Sequence, residues 1–200
     1  NLAKELAQKA LNSASKEELL NADFGGITVA EKLIEQTGVI GEKIELAAFE
    51  KISAPFVGSY IHSGKIATIV GLSAKVDGVE EVAKDVAMHI AASRPVCVDE
   101  TGVPQEMLEK EKEIFAAQAA ASGKPADIIE KMVSGRIRKF LAEVTLLGQP
   151  FVKDPDQSVE KLLQAAGATV LGFDRMELGE GVEKKTENFA EEVMAQVQGS

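Results

Sequence analysis

The chain has 200 residues, 45% of them hydrophobic, enough to bury a core as one domain or two small ones. Its formal charge of −10 opposes non-specific binding to a phosphate backbone and favours a basic protein partner, while a single cysteine, Cys97, excludes an internal disulfide or a cysteine-based zinc cluster. No Trp, one Tyr, no apolar run near the roughly 20 residues of a membrane span and no basic, apolar-cored leader together read as a cytosolic protein without direct nucleic-acid or membrane contact.

The chain opens at Asn1, directly inside a helical pattern, and so reads as a piece of a longer protein. Leu2, Leu6, Ala10 and Leu11 fall near one face, predicting an amphipathic helix over the first dozen residues. Ser15 followed by Glu18 has capping-box spacing for a short helix over Lys16 to Leu20, which Phe24-Gly25-Gly26 breaks. Thr28 with Glu31 repeats that spacing for a second helix striped by Val29, Leu33 and Ile34 and ended by Gly38.

From Lys43 to Leu72 the period shortens to two. Ile44, Leu46, Ala48 and, less cleanly, Glu50 and Ile52 alternate with more polar positions, predicting a strand. Val57 to His62 and Ile66 to Leu72 are two more β-prone runs joined at Ser63-Gly64, a tight-turn signal. Together they predict an antiparallel meander with one apolar face. Val79, Val82, Val86 and Ile90 mark a covering helix over Val79 to Ser93, stopped at Arg94-Pro95.

Pro104 to Ser122 and Pro125 to about Leu146 are long helical patterns separated only by Gly123-Lys124, which forces them antiparallel. Leu108, Ile114, Phe115 and Ala119 line the first. Ile129, Met132, Val133, Ile137, Phe140, Leu141 and Val144 line the second. Their Glu- and Lys-rich outer faces suit an arm reaching into solvent. After Gly148-Gln149-Pro150-Phe151 come a short helix over Ser158 to Ala166, a strand over Ala168 to Leu178, and a break at Gly179-Glu180-Gly181. Thr186 then caps a last helix with Phe189, Val193 and Val197 at i, i+4 and i+8. The fold class is α+β: small antiparallel sheets flanked by helices, with an inserted helical hairpin and a C-terminal helix.

No catalytic constellation emerges. Gly58 to Lys65 has five residues between its glycines and Ile66 where a phosphate loop carries Ser or Thr, so it reads as a hairpin turn. His62 and His89, the only histidines, lack metal-site spacing; His89 reads as a packed core residue and His62 as an exposed hairpin residue, equally a plain turn position or a contact. Cys97 between Val96 and Val98 reads as a half-buried structural thiol, with no base to activate it. No cofactor or metal is expected. These residues describe a binding protein; a coiled-coil scaffold or dimerisation protein and a small hydrolase using Cys97 or His62 are the alternatives.

Gly58-Ser-Tyr-Ile-His62, Val86-Ala-Met-His-Ile-Ala-Ala-Ser-Arg-Pro95, Ile129-Glu-Lys-Met-Val-Ser-Gly-Arg136, Leu147-Gly-Gln-Pro-Phe151 and Gly179-Glu-Gly-Val-Glu183 stand in one order along nearly the whole chain. In them the sequence resembles bacterial and organellar translation elongation factor Ts. The resemblance implies a guanine-nucleotide exchange factor for elongation factor Tu that acts by binding, without covalent chemistry. It implies a helical remainder of a first core subdomain over 1–40 and a second α+β subdomain over 41–101 and 147–181. A coiled-coil hairpin over 102–146, able to pair two copies, and a C-terminal helical module over 182–200 complete the division. Tyr60 and His62 on the hairpin, with Phe189, Val193 and Val197 at the C-terminus, are the expected partner contacts. The family's N-terminal domain and its Thr-Asp-Phe-Val motif would precede Asn1, so this chain is expected to bind elongation factor Tu but to exchange nucleotide poorly.

Overall fold

The computed structural model describes residues 2–180. The expected C-terminal helix, with Phe189, Val193 and Val197, lies outside the described residues.

Three helices open the chain: α1 (Leu2–Ala10), α2 (Lys16–Asn21) and α3 (Val29–Ile40). The N-caps predicted for α2 and α3 both form. Ser15 Oγ accepts the Glu18 N–H at 3.1 Å. Thr28 and Glu31 close a full capping box, Thr28 N–H donating to Glu31 Oε2 at 2.7 Å and Glu31 N–H to Thr28 Oγ1 at 3.1 Å. Gly38 does not end α3; the helix runs on to Ile40, and Gly41 supplies the left-handed cap at φ 80°. Leu19, Val29 and Leu33 form a small buried cluster under these helices.

The strand expected over Ile44 to Ile52 is absent. Alternation gives an extended segment one apolar side, but a strand also needs a neighbour to complete its ladder, and among the described residues this segment has none. Its apolar side serves packing instead. Ile44, Leu46 and Phe49 cover the helical cluster, and Ile52 and Ala54 lie against Gly71. Polar ties hold it in place: Ile44 N–H donates to Thr37 Oγ1 at 3.0 Å, and Lys51 Nζ donates to Leu11 O at 2.6 Å.

The second unit is built on β1 (Phe56–His62), β2 (Ile66–Leu72) and β5 (Val170–Glu177), antiparallel in the order β1-β2-β5. β2 is therefore central, and the third strand of the sheet comes from far along the chain. Ser63 (φ 51°) and Gly64 (φ 67°) make the two-residue hairpin turn, both in the left-handed region such a turn demands. α4 (Val79–Ser93) covers one face through Ala83, Val86, Ala87 and Ile90, with Val82 only partly buried at its edge. Arg94 caps α4 in the left-handed conformation at φ 49° before Pro95.

α5 (Gln105–Ala120) and α6 (Ala126–Val144) form a packed helical hairpin, with the Arg136 guanidinium 6.0 Å from the centre of the Phe115 ring. Pro104 sits one residue earlier than expected, as the cap of α5. The apolar seam is thin. Ile114 and Met132, expected to line it, are exposed, and Ala119 is the buried residue among those named. Two helices alone cannot enclose a core.

A two-stranded ribbon not foreseen in the sequence, β3 (Pro150–Phe151) with β4 (Asp154–Ser158), leads into α7 (Val159–Ala166), capped by Ser158. Leu146, Phe151, Val159 and Leu163 from this return join Val70, Leu72, Val86 and Ile90 in the main core. Each fully buried Leu or Ile there contributes about 1.5–3 kcal/mol relative to exposure.

Candidate functional site: the hairpin groove

Register decides which side chains share a groove. Tyr60 pairs with Thr68 and His62 with Ile66; on the other side of β2, Thr68 pairs with Arg175 and Ile66 with Glu177. Directly paired residues point to the same face. Tyr60, His62, Ile66, Arg175 and Glu177 thus stand together on the face covered by α4, alongside its last turns.

There Tyr60, His62, Ile66 and Arg175 border an open groove of about 550 Å³, closed on its other side by Met88, Ala91, Ala92, Arg94, Val152 and Lys153. Tyr60 Oη and His62 Nδ1 are 3.1 Å apart, with ring centroids 6.1 Å apart. A Tyr60 hydroxyl that donates to Nδ1 leaves the exposed Nε2–H as an outward donor. Arg175 is held beneath: its Nε–H donates to Ala91 O at 3.3 Å and its terminal nitrogen to Glu177 Oε2 at 2.8 Å. Arg94 pairs with the same Glu177 carboxylate. The Arg175 hydrogen bond, then the two guanidinium charges, hold the Glu177 carboxyl below its ordinary range. Lys153 bonds to Asp85 at 2.6 Å. The groove thus has a mainly apolar lining with Arg94, Lys153 and Arg175 in its walls, each paired with Glu177 or Asp85. No helix among the described residues is long and apolar enough to cross a membrane.

Of the sequence-predicted contacts, Tyr60 and His62 meet in this groove; Phe189, Val193 and Val197 lie outside the described residues. Arg94, Lys153, Arg175 and Met88 were not foreseen. Arg175 had no signal, because only the pairing of β5 with β2 brings it beside Thr68. Cys97 lines a different cleft from His62, bounded by Arg94, Asp99 and Phe173. Its Sγ–H donates to Asp99 O at 3.1 Å, and burial, then the Asp99 charge, pushes the thiol pKa up. A thiol so placed is a poor nucleophile. His89 is the packed histidine expected: fully buried, bonded to Gln149 and Val152, and kept below the ordinary imidazole value by burial.

Fold and groove define an α+β domain with an inserted helical arm and an open groove beside its hairpin. The family model for elongation factor Ts matches residues 1–180, and the chain belongs to that family. It is 55% identical over 203 aligned positions to elongation factor Ts of Thioalkalivibrio sulfidiphilus and, over the same length, to that of Methylococcus capsulatus; each alignment covers 99% of this chain and 68% of the relative. Elongation factor Ts of Legionella pneumophila is 49% identical over 201 positions, covering 98% of this chain and 68% of the relative.

Proposed function

We propose that this chain promotes release of GDP from elongation factor Tu during protein synthesis in the cytoplasm, acting by binding alone. The observation that carries the reading is the Tyr60–His62 pair at the mouth of an open groove, in a chain whose family membership spans residues 1–180. The groove and hairpin tip are the first contact. Phe189, Val193 and Val197 are the second, laid as an apolar stripe into a groove of the partner. The chain divides functionally into 1–40, 41–101 with 147–181, a coiled-coil arm over 102–146 and a C-terminal module over 182–200.

The mechanism is linkage. A factor that binds nucleotide-free elongation factor Tu more tightly than the GDP-bound form must weaken GDP by the same ratio. Each tenfold of that ratio is about 1.4 kcal/mol, and no covalent step is required. Calorimetric titration of this chain into GDP-bound and nucleotide-free elongation factor Tu tests this. Tighter binding to the nucleotide-free form is expected, weakened about 5- to 30-fold for that form by His62→Ala, the range of a contact worth 1–2 kcal/mol. Equal affinity for both forms would exclude exchange and leave a scaffold.

A further inference from the structure

The two legs of the helical arm are laced to each other at their root. Val96 N–H donates to Val144 O at 2.8 Å, Leu146 N–H to Cys97 O at 2.9 Å and Leu147 N–H to Val98 O at 3.0 Å. Those bonds hold leg to leg and would survive if the hairpin swung as a unit. Val159 N–H to Gln149 O at 3.0 Å and Glu160 N–H to Leu147 O at 3.2 Å tie the returning chain to α7. Leu146 seats the root in the main core, but apolar contact is non-directional and does not fix an angle.

Val152 and Lys153, further along the returning chain, also bond to α4, through His89 and Asp85, but the polar tie that joins α4 to the arm's own helix α6 is the Gln149 side chain. It is buried, at 6% exposure. Its amide nitrogen donates to Glu143 O at 2.8 Å and to Ser93 O at 3.3 Å, and its oxygen faces His89 Nε2 at 2.9 Å. Ser93 ends α4 and Glu143 lies in the last turn of α6, so both carbonyls are among those a helix end leaves without a partner. One amide therefore bridges two helix ends, with both donors and its acceptor engaged. His89 is set in turn: Nδ1 accepts the Val152 N–H at 3.2 Å, which places the ring proton on Nε2, aimed at Gln149.

We propose that Gln149, oriented by His89, is the positioning residue that fixes the arm's angle to α4, and through it the spacing between the arm and the Tyr60–His62 groove. The use made of that spacing rests on the exchange reading above; the angle is a property of the free chain.

The test is a spin-label distance measurement between Lys84→Cys on α4 and Lys124→Cys at the arm tip, in the full chain carrying Cys97→Ser. A single narrow distance population is expected. Gln149→Met, which keeps the bulk and removes the hydrogen bonds, should broaden it at least twofold with helix content unchanged. His89→Phe, which keeps the ring against Phe151, should broaden it less. An unchanged narrow population in folded Gln149→Met overturns the proposal, as does a broad population in the parent. Should Gln149→Met not fold, His89→Phe decides by the same two outcomes. The measurement uses no partner, so loss of the exchange reading would leave it standing, and its failure would leave exchange untouched.

Discussion

Gly58 lies in β1 where α4 crosses closest. A Cβ added there would stand 2.5 Å from the Ala83 Cβ, 2.9 Å from the Ala83 carbonyl carbon and 3.0 Å from its oxygen. Carbon atoms rest at about 3.5–4.0 Å, so Gly58→Ala pushes α4 off the sheet by roughly 1 Å. The obstacle is partly backbone, and Ala83 is fully buried, so no side-chain rotation relieves it. Overpacking of this kind costs about 1–3 kcal/mol, and the backbone contact places the cost at roughly 2–3. For a chain of this size each kcal/mol lowers the melting temperature by about 2–4 °C, giving a fall of roughly 4–12 °C in a thermal melt followed by circular dichroism. Met88, Ala91 and Ala92 ride on α4, so the groove opens with it. Ala83→Gly, destabilising by about 1 kcal/mol alone as a glycine inside a helix, should cost less in the Gly58→Ala background because it removes the closest contact. Strict additivity in that cycle, or a Gly58→Ala melt within about 1 °C of the parent, would refute the steric argument.

Two further outcomes follow from titrating groups. Burial holds His89 below its ordinary value, so the unfolded chain takes up the proton first; the stability it contributes is full above about pH 6.5 and is lost as pH falls below that. The melting temperature should drop as pH falls below about 6.5, a drop that His89→Phe removes, whereas Glu177 and Asp99, held low by Arg175 and Thr101, weaken the fold only at more acidic pH; a level profile in the parent would contradict this. Cys97, with its thiol pKa raised, should react with a disulfide reagent at pH 7.5 at least about tenfold more slowly in the native chain than in guanidinium, and equal rates would place it in an open, activated setting.

The family resemblance read from Gly58 to His62, from Val86 to Pro95 and from Leu147 to Phe151 agrees with the family match over residues 1–180. The capped helix starts were legible too, although Gly38 did not end α3. Ser15 and Thr28 carry their own hydrogen-bonding oxygen, and β2 and α4 begin and end at their expected residues. Such features depend on neighbours three or four positions away, and local chemistry settles them.

Anything that needed a distant partner could not be read this way. Ile44 to Ile52 has the alternation of a strand but no ladder, and its apolar side went to a helical cluster. The β3–β4 ribbon is short and polar, without a period to detect. Tyr60 and His62 were visible as hairpin residues, but the groove they border depends on β5 joining β2 across roughly a hundred residues, which brings Arg175 and Glu177 alongside. His89 looked like a core residue on a helix stripe, and its engagement with Gln149, 60 residues away, follows only from how the chain returns from the arm. The sequence by itself determined most of the helices, the N-terminal caps of α2 and α3, the β1–β2 hairpin and the family, because periodicity and capping are local. The tertiary structure decided the third strand of the sheet, the lining of the groove and the joint that holds the arm, because strand pairing and buried polar contacts join residues whose separation along the chain carries no information about their distance in space.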